Sequence, residues 1–252
     1  MSSVSIPTRR SVMVLFAAIV LTGFVIIVVN FQIYQARILY IAAYPELTAA
    51  KPPTISGAIR DPAIGNPFAV WISISAVFLF IGVGSMIAAL WAEGMRSDQI
   101  PPKERRWLTV LSLWSATLQL MACVGMVILS NYRFPDYNDE HMFGSYLFFF
   151  SQAFVVVFVE ITARRFAKQP ERNSVILPAM MRVRRKYVWV PIFLGVAYLV
   201  LFLIKNYDLG AFQAAVFQTY VITEPLLISS FLLYNLIFHA DMWGAILRYR
   251  RA

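Results

Sequence analysis

The chain has 252 residues, 60% of them apolar and 14% charged, with 20 Phe, 12 Tyr and 6 Trp. That apolar share lies well above the roughly one-half usual for globular domains, which excludes both a water-soluble domain and a disordered chain. The one cysteine, Cys123, sits in an apolar run, so a disulfide framework and a Cys-x-x-Cys metal site are excluded, and the net charge of +9 is read by where its residues fall.

Six stretches are long and apolar enough to cross a hydrocarbon layer of about 30 Å, which takes about 17 to 25 helical residues. They are 12–29, 68–91, 108–129, 142–161, 188–204 and 212–238. None alternates polar and apolar residues as a barrel strand would, and in lipid a helix satisfies its own backbone. The expectation is an all-α, multi-pass integral membrane protein, one domain over 1–252, built as a six-helix transmembrane bundle. The first stretch exceeds a signal-peptide apolar region, and Phe31-Gln-Ile-Tyr-Gln after it offers no small-residue cleavage site, so it is expected to remain as a span.

Seventeen Lys and Arg fall in the N-terminal segment, the 92–107 and 162–187 loops and the C-terminal segment, eight of them between Arg164 and Lys186. Five, Arg37, Lys51, Arg60, Arg133 and Lys205, fall in the other loops. The positive-inside rule then places both termini in the cytoplasm and the 30–67, 130–141 and 205–211 loops outside or in a lumen. The membrane expected is an endomembrane or plasma membrane, or an inner membrane in a bacterium.

The 30–67 loop carries Pro45, Pro52, Pro53, Pro62 and Pro67 with Gly57 and Gly65, which predicts an irregular, partly extended cap. Ser56, in Pro53-Thr-Ile-Ser-Gly, reads on its own as a turn serine. The 164–186 segment, which mixes arginines with Ile176-Leu-Pro and Met180-Met181, is expected to lie along an acidic membrane surface. No internal repeat or low-complexity tract occurs.

Glu224 lies twelve residues past Phe212, about 18 Å along a helix and hence near mid-bilayer, where a carboxylate must face the bundle interior. Pro225 follows it and removes a backbone donor. Gln119 and Gln152 fall at similar depth, which suggests one polar layer of Gln119, Gln152 and Glu224. Interhelical hydrogen bonding and a headgroup or proton-handling site remain alternatives for it. Asp136, Asp139, Glu140 and His141 stand beside Asn131 where the fourth span opens, either as helix-capping residues or as an acid–base cluster. His239 lies at the opposite end of the sixth span, so a histidine dyad or two-histidine metal site is not expected. No Gly-x-Ser-x-Gly, phosphate loop or His-Glu-x-x-His occurs, and no metal, cofactor or nucleic-acid partner is expected.

Taken together, Pro53-x-Ile55-Ser56 with Pro62 and Phe68, then Gly125-Met126-x-Ile128-x-x-Asn131-Tyr132, then His141-x-x-Gly144, resemble the Frag/DRAM/Sfk family of six-helix membrane proteins. That family includes the damage-regulated autophagy modulators and the post-GPI-attachment lipid-remodelling factor. Asn235-Leu-Ile-Phe238-His239-Ala-Asp-Met-Trp243 is similar to the end of the remodelling branch. The resemblance implies lipid work: acyl remodelling of a GPI anchor or phospholipid, or control of lipid distribution. It carries over to His141, Asn131, Ser56, Asn235 and His239 with an acidic residue on the last helix, which in the remodelling branch sits about one turn nearer the helix end than Glu224.

Three functions follow as expectations. The first is a lipid-handling protein that admits a lipid from the outer side, with His141 and Glu224 as candidates for chemistry and membrane lipids as partners. The second is a non-catalytic scaffold for a membrane protein partner. The third is a proton-coupled transporter, which lacks the inverted repeat such folds carry.

Overall fold

The computed structural model describes residues 6–96, 100–168 and 173–252, and among these every regular element is helical. The elements are α1 (Arg9–Ala43), α2 (Pro45–Ala50), α3 (Ile55–Ile59), α4 (Pro62–Gly94), α5 (Pro102–Asn131), α6 (Asn138–Ala167), α7 (Pro178–Tyr187), α8 (Trp189–Ile204) and α9 (Gln213–Arg251), with a 3-10 turn over Gly210–Phe212. Six spans, with α7 and α8 forming the fifth, are long and apolar enough to cross a membrane. The chain is an integral, multi-pass membrane protein. Side chains such as Ile27, Phe31, Phe154, Phe193 and Leu203 are exposed on the outside of the bundle, as a hydrocarbon surrounding permits.

The helices overrun the apolar stretches that announce them, because hydropathy marks what suits lipid and not where helical hydrogen bonding stops. The clearest difference is in residues 30–67. Far from being an irregular cap, this segment continues α1 to Ala43 and adds α2 and α3 before α4 begins at Pro62. Pro45 and Pro62 are helix starters here: each occupies the first helical position, where its missing N–H leaves nothing unsatisfied. Asp61 caps α4 by accepting the Ala63 N–H at 2.8 Å and also accepts the Tyr44 hydroxyl at 2.7 Å. The tyrosine first, and then the amide, hold this carboxyl below its ordinary range. The longest non-helical piece of the segment is 51–54, which contains Pro52 and Pro53.

Close packing fixes the tightest helix pair. A Cβ at Gly144 of α6 would come within 2.7 Å of the Leu129 amide of α5, so only glycine lets these backbones approach. Elsewhere α1 packs on α4 and α9, and α4 on α5, while α8 rests chiefly on α9. Pro191 is the one buried residue of α8. α8 therefore stands at the rim of the bundle, with room between it and α6.

At one end of the bundle the Thr8 N–H donates to Glu93 Oε1 at 3.0 Å and Arg248 Nη2 to the Ser174 carbonyl at 2.7 Å, so both chain ends gather at the arginine-rich end. The segment expected to lie along the membrane turns inward there. Ser174, Val175 and Ile176 are buried, and α7 buries Arg184 completely against Asp241 and Glu160. Arg172, counted in the same basic run, lies outside the described residues. The opposite end, which carries α2 and α3, is called the loop end below.

Candidate functional site

The loop-end site is built on α3, a single buried turn held at both ends. The Thr54 side chain caps it by accepting the Gly57 N–H at 2.8 Å, and Ile55, Ala58 and Ile59 bury its apolar face. Beyond the turn, Arg133 donates to the Ile59 carbonyl at 3.3 Å and to Asn66 Oδ1 at 2.6 Å. The Ile55 N–H donates to Glu224 Oε2 at 3.1 Å, which joins the turn to α9. Ser56, the next residue, is thereby aimed at α6, where its Oγ lies 2.9 Å from His141 Nε2.

The proton positions in this pair follow from the third partner. His141 Nδ1 lies 2.9 Å from the Tyr132 carbonyl, which can only accept, so Nδ1 carries the proton. In the neutral ring Nε2 then holds a lone pair, and the Ser56 hydroxyl donates to it. The residue is 98% buried, and its ring leans on Phe134 with centroids 4.6 Å apart. A hydroxyl hydrogen-bonded to a neutral, oriented imidazole is the arrangement that activates a serine oxygen. Other hydroxyls in the bundle behave differently: those of Ser115, Ser145, Thr162 and Thr223 each donate to a carbonyl of their own helix four residues back.

Ser56, His141 and Glu224 all line one cavity of about 330 Å³ bounded by α3, α6, α8 and α9, at the lower end of the size range of small-molecule pockets. Its walls are apolar and run down α6 from His141 to Val157, about 24 Å of helix and longer than the roughly 15 Å of one hydrocarbon leaflet. Phe154 of α6 and Val196 of α8 line it while remaining 53% and 57% exposed, so it opens sideways between these helices. Near Glu224 the Tyr198 hydroxyl reaches Oε1 at 3.5 Å and meets the Tyr220 hydroxyl at 3.2 Å.

A second hollow of about 710 Å³ adjoins the first at the loop end and shares Met142, Phe202 and Tyr220 with it. Lys51, Arg60 and Lys205 line it, and no carboxylate does. Lys205 packs over the Phe202 ring at 4.7 Å. Burial, and then the neighbouring Lys51, draw its ammonium below the ordinary lysine range.

The remaining candidate residues are scattered. Gln119 Nε2 contacts Cys123 Sγ at 3.3 Å and Gln152 Oε1 at 3.5 Å, and this pair stays apart from Glu224. The single polar layer suggested by depth therefore divides in two, because the α3 turn reaches down to Glu224 from the loop end. Asn131 is exposed and ties α5 to α4 through Ser73 Oγ at 3.1 Å. Asp136, Asp139 and Glu140 are exposed, the last two in the first turn of α6, so the acidic cluster does not converge on His141. Asn235 reaches a carbonyl of its own helix, that of Phe231, at 3.5 Å, and His239 meets Thr22. Among the described residues no group of three or more His, Cys, Asp or Glu converges as metal ligands would.

Sequence reasoning passes over Tyr198 and Tyr220, and it reads the three cations of the second hollow only as markers of topology. It also passes over the ionic cluster of Glu160, Arg184 and Asp241 at the far end. Tyr220 four residues before Glu224 was the available signal, since such a pair shares one helix face.

A family model described as the Frag1/DRAM/Sfk1/Cwh43P N-terminal domain matches residues 9–245. Neither the curated proteins nor the solved structures give a match.

Proposed function

The chain belongs to the Frag1/DRAM/Sfk1/Cwh43P family, and we propose that it is a lipid-handling membrane protein that takes up a lipid sideways between α6 and α8. The acyl chain lies along the apolar wall of the cavity, and the polar part rests at Ser56, His141 and Glu224. The observation that carries this reading is the lateral opening: Phe154 and Val196 belong at once to the cavity wall and to the outer, hydrocarbon-facing surface. A site for a water-soluble solute would open at an end of the bundle. With both termini on the cytoplasmic side, as the arginine distribution favours, the polar end of the lipid comes from the outer or luminal leaflet. The work done on it is acyl remodelling or redistribution.

Lipid mass profiling of the purified protein tests this. Wild type retains phospholipid through detergent exchange, and Ala153→Phe, which fills the cavity wall without touching the polar end, lowers the retained lipid at least about tenfold, on the order of the loss expected when a pocket is filled. Equal retention by the two proteins overturns the reading, as does recovery of a stoichiometric protein partner in place of lipid.

A further inference from the structure

We infer that Ser56 is an acyl-accepting nucleophile with His141 as its base, and that Lys51, Arg60 and Lys205 select the phosphate of a glycerophospholipid as the acyl donor. The inference rests on the lipid-handling reading and adds the reaction to it.

The Ser56 hydroxyl donates across 85 residues of sequence to a neutral imidazole whose other nitrogen is fixed on a backbone carbonyl. That carbonyl does for His141 what a carboxylate does in many serine enzymes: it fixes the tautomer and leaves Nε2 free to take a proton. Ser56 Oγ faces the end of an apolar cavity shaped for an acyl chain, where an ester carbonyl of a bound lipid would come to rest. The adjoining hollow supplies three cations, and among the described residues none of them forms a salt bridge. A phosphate there brings the negative charge that this hollow lacks, and the acyl chain continues past Tyr220 and Phe202 into the first cavity.

The chemistry balances without a further reagent. Ser56 Oγ attacks the ester carbonyl as its proton passes to His141 Nε2. The bond from the carbonyl carbon to the glycerol oxygen breaks, and the proton on Nε2 goes to that oxygen, which releases a lysophospholipid and leaves an ester on Ser56. A second lipid hydroxyl, or water, then gives its proton to Nε2 and attacks the Ser56 ester; the bond from the acyl carbon to Oγ breaks, and the proton on Nε2 returns to Oγ and restores the serine. Glu224 is a positioning residue: through the Ile55 N–H it holds the turn that presents Ser56.

The test uses the full-length protein in vesicles of phosphatidylcholine containing phosphatidylglycerol with isotope-labelled acyl chains. Peptide mass spectrometry after rapid quenching is expected to find the labelled acyl group on the peptide containing Ser56 in wild type and to find none in Ser56→Ala. Ser56→Cys is expected to restore the adduct as a thioester. His141→Ala slows labelling by about a hundredfold or more, the usual worth of a general base. Exchanging Lys51 and Lys205 together for alanine raises the phosphatidylglycerol content needed for half-maximal labelling by about tenfold. Absence of acyl label on Ser56 in wild type overturns the inference, and so does lysophospholipid release by Ser56→Ala at the wild-type rate. If the label is absent while wild type still retains lipid and Ala153→Phe does not, only the chemistry falls. If Ala153→Phe retains lipid as wild type does, the lipid-handling reading falls with it.

Discussion

At the arginine-rich end of the bundle Arg184 is fully buried between Asp241 and Glu160, and Glu160 also accepts from Arg164 at 2.6 Å and from the Tyr234 hydroxyl at 3.1 Å. At the loop end Ser56, His141 and Glu224 are also tied to protein partners, yet all three border a cavity. Both regions bury polar and ionisable groups in a bundle that faces lipid. The first matches each charge with an opposite one, so its work is to lock α6, α7 and α9 together. The second keeps a hydroxyl, an imidazole and a carboxylate beside an apolar channel. Burial of polar side chains is thus no guide to function in such a bundle; what they border is.

The two histidines repeat the contrast on a smaller scale. Thr22 Oγ1 lies 2.6 Å from the Ala18 carbonyl and 2.7 Å from His239 Nε2. The carbonyl takes the hydroxyl proton, so Thr22 accepts from His239, whose Nε2 carries the hydrogen. At Ser56–His141 the direction is reversed and the imidazole is the acceptor. One pair is oriented as an interhelical tie, the other as nucleophile and base.

Variants that break this comparison are ordered by size of effect. The largest is Arg184→Ala, which leaves Asp241 and Glu160 buried without their partner and is expected to cost about 3 to 5 kcal/mol of stability. Thermal unfolding in detergent reads it, and the loss should appear with or without added lipid. Next comes Glu224→Ala, which leaves the buried Ile55 N–H without its acceptor, at a cost of about 1 to 3 kcal/mol, and loosens the α3 turn. Glu224→Gln keeps an acceptor for that N–H, so acylation of Ser56 should fall by at least about tenfold more in the alanine variant than in the glutamine variant, a gap of about 1.4 kcal/mol. Equal losses in the two would show that the negative charge matters and not the hold on the turn. The smallest is His239→Ala, which should remove one interhelical hydrogen bond worth about 1 kcal/mol while leaving Ser56 acylation within about twofold of wild type. A large loss of acylation there would erase the distinction between the two histidines.

Much of the architecture was legible in the chain. Apolar stretches of the length a bilayer demands located all six spans, since no other feature produces such runs. The segment between the first two spans was misread because its prolines were taken as breakers, whereas Pro45 and Pro62 begin helices. Of the site, Glu224 was visible as a carboxylate inside an apolar run, and Ser56 and His141 through the family resemblance. Their juxtaposition was not visible: it depends on the α3 turn dipping to α9, and no local pattern encodes that distance. The same holds at the other end, where nothing in a run of arginines distinguishes Arg184, the fully buried one, from exposed Arg185 beside it. The cavity was the least legible feature of all, because it arises from α8 resting on α9 and standing off α6, a matter of packing between segments distant in sequence.

The most direct measurement is a cryo-electron microscopy map of the full chain in phospholipid nanodiscs. The account predicts elongated density between α6 and α8, running from beside Val157 to its polar end at Ser56 and His141. A map in which α8 closes onto α6, so that Phe154 and Val196 face only the surrounding lipid and Ser56 meets no ligand density, would contradict it.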